Sequence, residues 1–303
     1  MKKTCIILIG PTAIGKTALA IQLAQHFSTE IISADSRQCF TELNIGVAKP
    51  VEAELKLIPH HFINSHSIHE NVNAAVYEKY ALQAAQDIFK KSDIAIIAGG
   101  TGLYVKTFCE GIDEVPIILP GIRENIVAGY EANGIEWLQQ QVMEKDPAWY
   151  QQGEVKNPHR LMRALEVIQS TNKSLLQFQT QEPVKRDFEI IKIGLELPRE
   201  ILYQRINERV EQMMKDGLEA EVRLLQSFKT LNALQTVGYK ELFSYFDHEL
   251  SLDEAVALIQ QNTRHYAKRQ MTWFKKDKTI TWCASKFDAL IKNVNAAIQA
   301  ILN

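Results

Sequence analysis

A run of aliphatic residues, Cys5-Ile6-Ile7-Leu8-Ile9, stops at Gly10-Pro11-Thr12-Ala13-Ile14-Gly15-Lys16-Thr17, and an amphipathic stretch begins directly behind it. Glycines at this spacing let a loop curl so that its backbone N–H groups point inward, and a helix that follows adds the positive end of its dipole. Such a loop binds nucleotides such as ATP, or another diphosphate or triphosphate. Gly10, Pro11, Thr12, Ala13, Ile14 and Gly15 are therefore read as the cradle, Lys16 as a point charge for phosphate oxygens, and the Thr17 hydroxyl as a ligand for Mg2+.

The rest of the first hundred residues fits the sheet that such a loop needs. Ile31 to Ser33 and Ile94 to Ala98 read as short buried strands, with helices over Gly15 to Phe27 and Val72 to Lys90. This alternation predicts an α/β fold: a P-loop NTPase-like parallel sheet flanked by helices, with ligands at the carboxyl ends of the strands. The chain has 303 residues, room for one large domain or two ordinary ones. After Gly111 the texture changes, because Pro116, Pro120, Pro147, Pro158 and Pro183 fall among helical stretches rich in Gln. Residues 112–189 are read as a mostly helical insertion domain, and 1–111 with 190–303 as the catalytic core. Ile190 to Leu197 resumes a strand, and from Glu200 to the end the chain reads as helical, with Leu202, Ile206, Val210 and Met213 on one apolar face.

The loop alone does not name a reaction. A nucleotide hydrolase places an acidic residue at the end of a later strand, but here Asp93 to Ala98 runs into Gly99-Gly100-Thr101-Gly102. The strand-end carboxylate is Asp35, which either takes a proton from an acceptor or caps a turn. A small-molecule kinase would use the same arrangement and is the alternative. Cys5, Cys39, Cys109 and Cys283 are too far apart in sequence for a dithiol or zinc motif, and His60, His61, His66 and His69 are read as unaccompanied by the acidic or cysteine partners a metal site needs. No apolar run is long enough for a membrane span, so the expectation is a cytoplasmic protein without a membrane partner. The net charge is −2, so any nucleic-acid surface must be local. Arg264, Lys268, Arg269, Lys275, Lys276 and Lys278, interleaved with Tyr266, Trp273 and Phe274, form either such a patch or a solvated helix face.

Several ordered motifs narrow this further. The phosphate loop, Ser33-Ala34-Asp35-Ser36-Arg37-Gln38, Ile45-Gly46-Val47-Ala48-Lys49-Pro50 and Pro59-His60-His61-Phe62 are followed by Gly99-Gly100-Thr101-Gly102-Leu103-Tyr104. Then come Asn157-Pro158-His159-Arg160-Leu161-Met162-Arg163-Ala164-Leu165-Glu166, Val237-Gly238-Tyr239-Lys240 and Thr263 to Phe274. In this order they resemble the tRNA dimethylallyltransferases of the bacterial type, over residues 6 to about 282.

The resemblance implies transfer of a dimethylallyl group from dimethylallyl diphosphate to the exocyclic amine of the adenosine 3′ of the anticodon in tRNA, position 37, with release of diphosphate. It implies that Asp35 is the general base, that Thr101 acts beside the amine and the leaving oxygen, and that Lys16, Thr17 and Mg2+ stabilise the diphosphate. Arg209 matches a family arginine that binds diphosphate, and Arg205 lies one helical turn earlier; by spacing alone either could be a solvated arginine. On the RNA side it implies contacts from Asp35, Ser36, Arg37, Gln38, Thr101 and Arg123, from His159, Arg160, Leu161, Met162 and Arg163, and from Gln235, Tyr239 and Lys240. The insertion would grip the anticodon stem-loop, with Lys156, Arg160 and Arg163 meeting phosphates, and the enzyme would act as a monomer. Two departures stand out: Val47 replaces a frequent threonine, and Gln235 replaces an arginine found in some members. The zinc finger that eukaryotic relatives append is not found in this sequence, which fits the bacterial type.

Overall fold

The computed structural model describes residues 2–302 other than 114, 116, 117, 119, 120, 180 and 181. Among them lie six strands, β1 (Thr4–Ile9), β2 (Ile31–Ala34), β3 (His60–His61), β4 (Ile94–Gly99), β5 (Glu189–Glu196) and β6 (Thr281–Ala284). Helices α1 (Lys16–Phe27), α2 (Glu52–Leu57), α3 (Ala74–Phe89) and α4 (Gly102–Glu110) connect the first strands. Then follow α5 (Ile122–Lys145), α6 (Pro147–Gln152) and α7 (Pro158–Thr171). After β5 come α8 (Arg199–Lys215), α9 (Leu218–Leu224), α10 (Tyr239–Phe246), α11 (Leu252–Phe274) and, after β6, α12 (Phe287–Leu302).

All the strand pairs are parallel, in the order β3-β2-β4-β1-β5-β6. The order explains the hydrophobic run in β1. That strand is central, buried along its whole length, and its residues divide by the two-residue period of a strand. Cys5, Ile7 and Ile9 join one core with Tyr77, Ala81 and Phe108, while Ile6 and Leu8 join a second with Leu19, Leu23, Leu290 and Val294. Every strand runs the same way, so β1, β2 and β4, which are adjacent or next-but-one, deliver their carboxyl ends to one edge.

Two edge strands escape the sequence reading. Thr281–Ala284 pairs with β5 in a region read as helical, and His60–His61 pairs with β2. Both are too short for a periodic signal, and pairing with an existing sheet edge defines them. His60 and His61 are structural within it: His60 Nδ1 lies 2.7 Å from the Ile58 carbonyl oxygen and His61 Nε2 lies 2.7 Å from the Glu30 carboxylate.

The chain divides into two compact units, Met1–Gly111 with Val184–Asn303, and Ile112–Pro183. The return to the first unit comes earlier than residue 190. The Val184 N–H donates to the Glu110 carbonyl at 2.7 Å, and Arg186 donates to the carbonyls of Phe108 and Thr107, both at 2.8 Å, so this stretch is fastened to α4 before the strand begins. The second unit has its own core of Ile126, Leu138, Val142, Trp149, Leu161 and Leu165. Its α7 starts where Asn157 accepts hydrogen bonds from the His159 and Arg160 N–H groups and Pro158 fills the first helical position. Of the prolines that mark this segment, Pro116 and Pro120 lie outside the described residues. Among the described residues no helix is long and apolar enough to cross a membrane.

Candidate active site

The phosphate loop curls through backbone angles that side chains resist. Gly10 and Gly15 have φ of 154° and 98°, and Ala13 sits between them at 62°. A side chain on Gly10 would approach the Leu195 carbonyl oxygen of β5 to 3.1 Å, so glycine there serves both the turn and the close approach. Inside the curl, the Lys16 ammonium donates to the carbonyls of Gly10 at 2.9 Å and Pro11 at 2.8 Å. Burial, followed by the charge of Arg209, pulls the Lys16 amine down to about 7, and the Asp35 carboxylate offsets part of this. Burial also lowers the Arg209 guanidinium, again opposed by Asp35. Arg209 donates to the Thr12 hydroxyl at 3.2 Å, and Arg205 reaches the Ile14 carbonyl at 3.4 Å. Arg205 and Arg209 of α8 therefore both face the loop.

Asp35 follows β2, and Oδ1 accepts from the N–H groups of Arg37 at 2.9 Å and Gln38 at 3.3 Å. One carboxylate oxygen thus fixes the turn, while the residue lines the cavity beside the phosphate loop. Of the two roles open at the sequence level, the capping one is present in the geometry and leaves the chemical one possible. Thr101 follows β4, and its hydroxyl oxygen accepts from the Ser36 N–H at 3.1 Å. A single cavity of about 790 Å³ contains Thr12 to Thr17, Asp35 to Gln38, Arg209, Gln235 and Lys240 on its walls. Its apolar portion is formed by Val210, Met213, Leu218, Val237 and Ile259.

Other residues marked by sequence have different places. The Gln38 carboxamide is engaged, accepting from the Ser33 hydroxyl at 3.2 Å and donating to the carbonyls of Val47 at 3.2 Å and Ala48 at 3.0 Å, so it braces the neighbouring loop. Tyr239 is fully buried and donates to Glu221 at 2.5 Å; the same carboxylate accepts from the N–H groups of Ile45 at 2.7 Å and Gly46 at 3.1 Å. Tyr239 is a strut under that loop and presents no surface to RNA. Leu161 and Met162 are likewise buried in the core of the second unit, where helical periodicity turns them inward. His159 and Arg160 are exposed on α7. Arg160 pairs with Glu154 at 3.0 Å. Arg123 and Arg163 meet at one carboxylate, Glu166, at 2.7 and 3.1 Å.

Sequence reasoning missed Gln270, Tyr266 and Glu221 as parts of the site. Tyr266 and Gln270 belong to the basic stretch and to the Thr263 to Phe274 motif, which give neither a role in the site, although their four-residue spacing puts them on one helix face. No local signal marks Glu221, whose partners come from far along the chain.

For Mg2+ the donors fit a hard cation that takes most of its ligands from phosphate and water. The Thr17 hydroxyl at the start of α1 and the Asp35 carboxylate share the cavity. No group of three or more His, Cys, Asp or Glu side chains suited to a metal occurs among the described residues.

The family model for IPP transferase matches residues 38–277. A tRNA dimethylallyltransferase of Christiangramia forsetii is 47% identical over 303 residues, covering all of both chains. One from Flavobacterium johnsoniae is 47% identical over 286 residues, 92% of this chain and 93% of that protein. The crystal structure of a tRNA isopentenylpyrophosphate transferase from Bacillus halodurans superposes with a TM-score of 0.72 at 31% identity, covering 99% of this chain and 96% of that one. A eukaryotic dimethylallyltransferase captured acting on tRNA gives a TM-score of 0.79 at 25% identity, over 94% of this chain and 74% of that one. With the family model spanning most of its length and relatives matching it end to end, this chain belongs to the IPP transferase family.

Proposed function

We propose that this protein transfers the dimethylallyl group of dimethylallyl diphosphate to the exocyclic amine of the adenosine 3′ of the anticodon in tRNA, releasing diphosphate. What carries this reading is the combination within one cavity of a phosphate loop, a strand-end carboxylate and an apolar wall. A phosphoryl-transfer enzyme needs the first two; a five-carbon tail gives the third a purpose.

In the reaction the allylic carbon–oxygen bond breaks and its electron pair leaves with the diphosphate, while the amine nitrogen bonds to that carbon and loses a proton. The amine is a poor nucleophile because its lone pair is delocalised into the ring. Most of the barrier is therefore lowered by holding the negative charge that develops on the leaving group. The loop N–H groups, Lys16 and Arg209 serve that purpose. Mg2+, held by the Thr17 hydroxyl and the donor's own oxygens, would supply further positive charge. Asp35 receives the amine proton on the side of its carboxylate turned to the cavity, and Thr101 orients the amine. Val210, Met213, Leu218, Val237 and Ile259 shield the tail from water.

The base must leave its stack to enter, so the residues at the rim, Ser36, Arg37, Gln235 and Lys240, meet the RNA there. The second unit contributes Arg123, Arg160 and Arg163, whose charges suit phosphates, and His159 beside them. The enzyme acts as a monomer in the cytoplasm, where its RNA substrate resides. Incubation with labelled dimethylallyl diphosphate, Mg2+ and unmodified tRNA tests the proposal. Label should enter RNA at the base next to the anticodon; no label in RNA, with phosphate moved from ATP to a small acceptor, would establish the kinase alternative instead.

A further inference from the structure

Helix α11 turns Ile259, Thr263, Tyr266 and Gln270 toward the cavity, at spacings of four, three and four residues. Gln270 is only 6% exposed, yet both ends of its carboxamide are used. Oε1 accepts from the Thr12 N–H of the phosphate loop at 2.8 Å, and Nε2 donates to the Gly100 carbonyl at 3.0 Å. The two partners fix which way the amide faces, because one offers a donor and the other an acceptor. A side chain needed only to fill this space could be apolar, and burying an amide is costly unless both ends are paired.

Each of the loops joined by Gln270 carries a different half of the chemistry. Thr12 belongs to the diphosphate cradle and is also held by Arg209 through its hydroxyl. Gly100 leads into Thr101, which accepts from the Ser36 N–H next to Asp35 and whose own N–H donates to Ala34 at 3.1 Å. Gly100 provides a second, independent sign of this link. A Cβ on it would lie 2.2 Å from Gln270 Nε2, whereas the nearest atom of any other residue is the Gly10 carbonyl oxygen at 3.6 Å. Its φ is not in the left-handed range, so the backbone does not require glycine. The missing side chain makes room for the glutamine.

We propose that Gln270 is a positioning residue that sets the separation between the phosphate loop and the turn carrying Thr101, so that the allylic carbon and the attacking nitrogen meet in line. The inference rests on the prenyl-transfer reading. Either substrate can bind without the link; their alignment cannot be kept, and misplacing reactants by about 1 Å costs on the order of 10²-fold in rate.

Gln270→Met keeps the volume and removes both bonds. It should lower kcat for prenyl transfer about 10- to 100-fold while KM for dimethylallyl diphosphate and for tRNA stays within about threefold, with a melting temperature lowered by no more than a few degrees for the two partners left unpaired. Gly100→Ala should give the same split by displacing the side chain. Placed on Gln270→Ala, where the space is free, Gly100→Ala should cost less than about twofold more, a departure from additivity that a general loss of structure does not produce. Unchanged kcat in Gln270→Met overturns the inference, as does a loss carried by KM or additive effects in the double variant. If Gln270→Met does not fold, the Gly100→Ala pair decides. Wild-type enzyme is assayed alongside with labelled donor and tRNA: absence of label there overturns the transfer reading and this inference with it, whereas labelled RNA with an unaffected variant overturns the inference alone.

Discussion

Lys16 and Arg209 carry their charge inside the cavity, bonded to the neutral oxygens of Gly10, Pro11 and Thr12, whereas Arg123 and Arg163 of the second unit keep theirs at the surface, with Glu166 beneath them. In the first region the cations are half-buried in the cavity wall; in the second the anion is buried, at 1% exposure, while the Arg123 side chain is 67% exposed. A cation partly removed from water and hydrogen-bonded only to neutral oxygens is left undercompensated until an anion arrives. The cavity is therefore tuned to one tightly enclosed anion. Exposed guanidiniums held side by side by a buried carboxylate remain solvated and pre-arranged, which suits a large polyanion approaching from solvent.

The contrast can be broken most forcefully at Asp35, the carboxylate whose charge acts on Lys16 and Arg209. Asp35→Asn should lower kcat by about 10²- to 10⁴-fold, the usual worth of a general base, while tRNA affinity measured by filter binding stays close to wild type. Full activity would remove Asp35 from the chemistry.

Next in size, Lys16→Met should reduce kcat/KM by about 10²- to 10³-fold, as expected for one electrostatic contact to the leaving group. The same variant tests the cost of burial. The folded-state amine titrates near 7, below its ordinary value of 10.5, so the unfolded chain binds more protons between those values and stability rises with pH across that window. Below pH 7 the penalty is fully present. Melting curves should show the wild type gaining on Lys16→Met as pH goes from 7 to 9. Diphosphate binding should also take up a proton near pH 8 in wild type and not in the variant, as read by calorimetry in buffers of different ionisation enthalpy.

At the surface region the effects should be smaller and salt-dependent. Arg163→Ala should weaken tRNA binding about tenfold and reduce the slope of log K against log salt by roughly one, with kcat preserved. Glu166→Gln keeps the arginines but loosens their pairing; a few-fold weaker tRNA binding is the expectation from losing part of a charge-assisted hydrogen bond. If Glu166→Gln lowered kcat as strongly as Lys16→Met, the distinction between the two regions would fail.

What could be read from sequence follows the range of the forces involved. The β1–loop–α1 unit was legible because strand, glycine turn and helix are contiguous, and Asp35 because it directly follows a buried strand, with Thr101 separated by one residue from the end of another. β6 was not, since four residues have no period and their place depends on β5. Tyr239, Leu161 and Met162 show the converse: a motif marks them, but whether a motif residue faces solvent or core is decided by tertiary packing. Gln270 and Glu221 are distant in sequence from all that they hold.

The single hydrogen bond from Val184 to Glu110 brings the chain back to the core almost where it left at Gly111, whose Cβ, if present, would come within 2.7 Å of Val184. A segment spliced in at such a neck costs the core the entropy of closing a loop, which grows with the logarithm of its length. Grafts and deletions there are thus predicted to be tolerated by the sheet, making Ile112–Pro183 an exchangeable cartridge that can be swapped while the fold of the other unit stays the same.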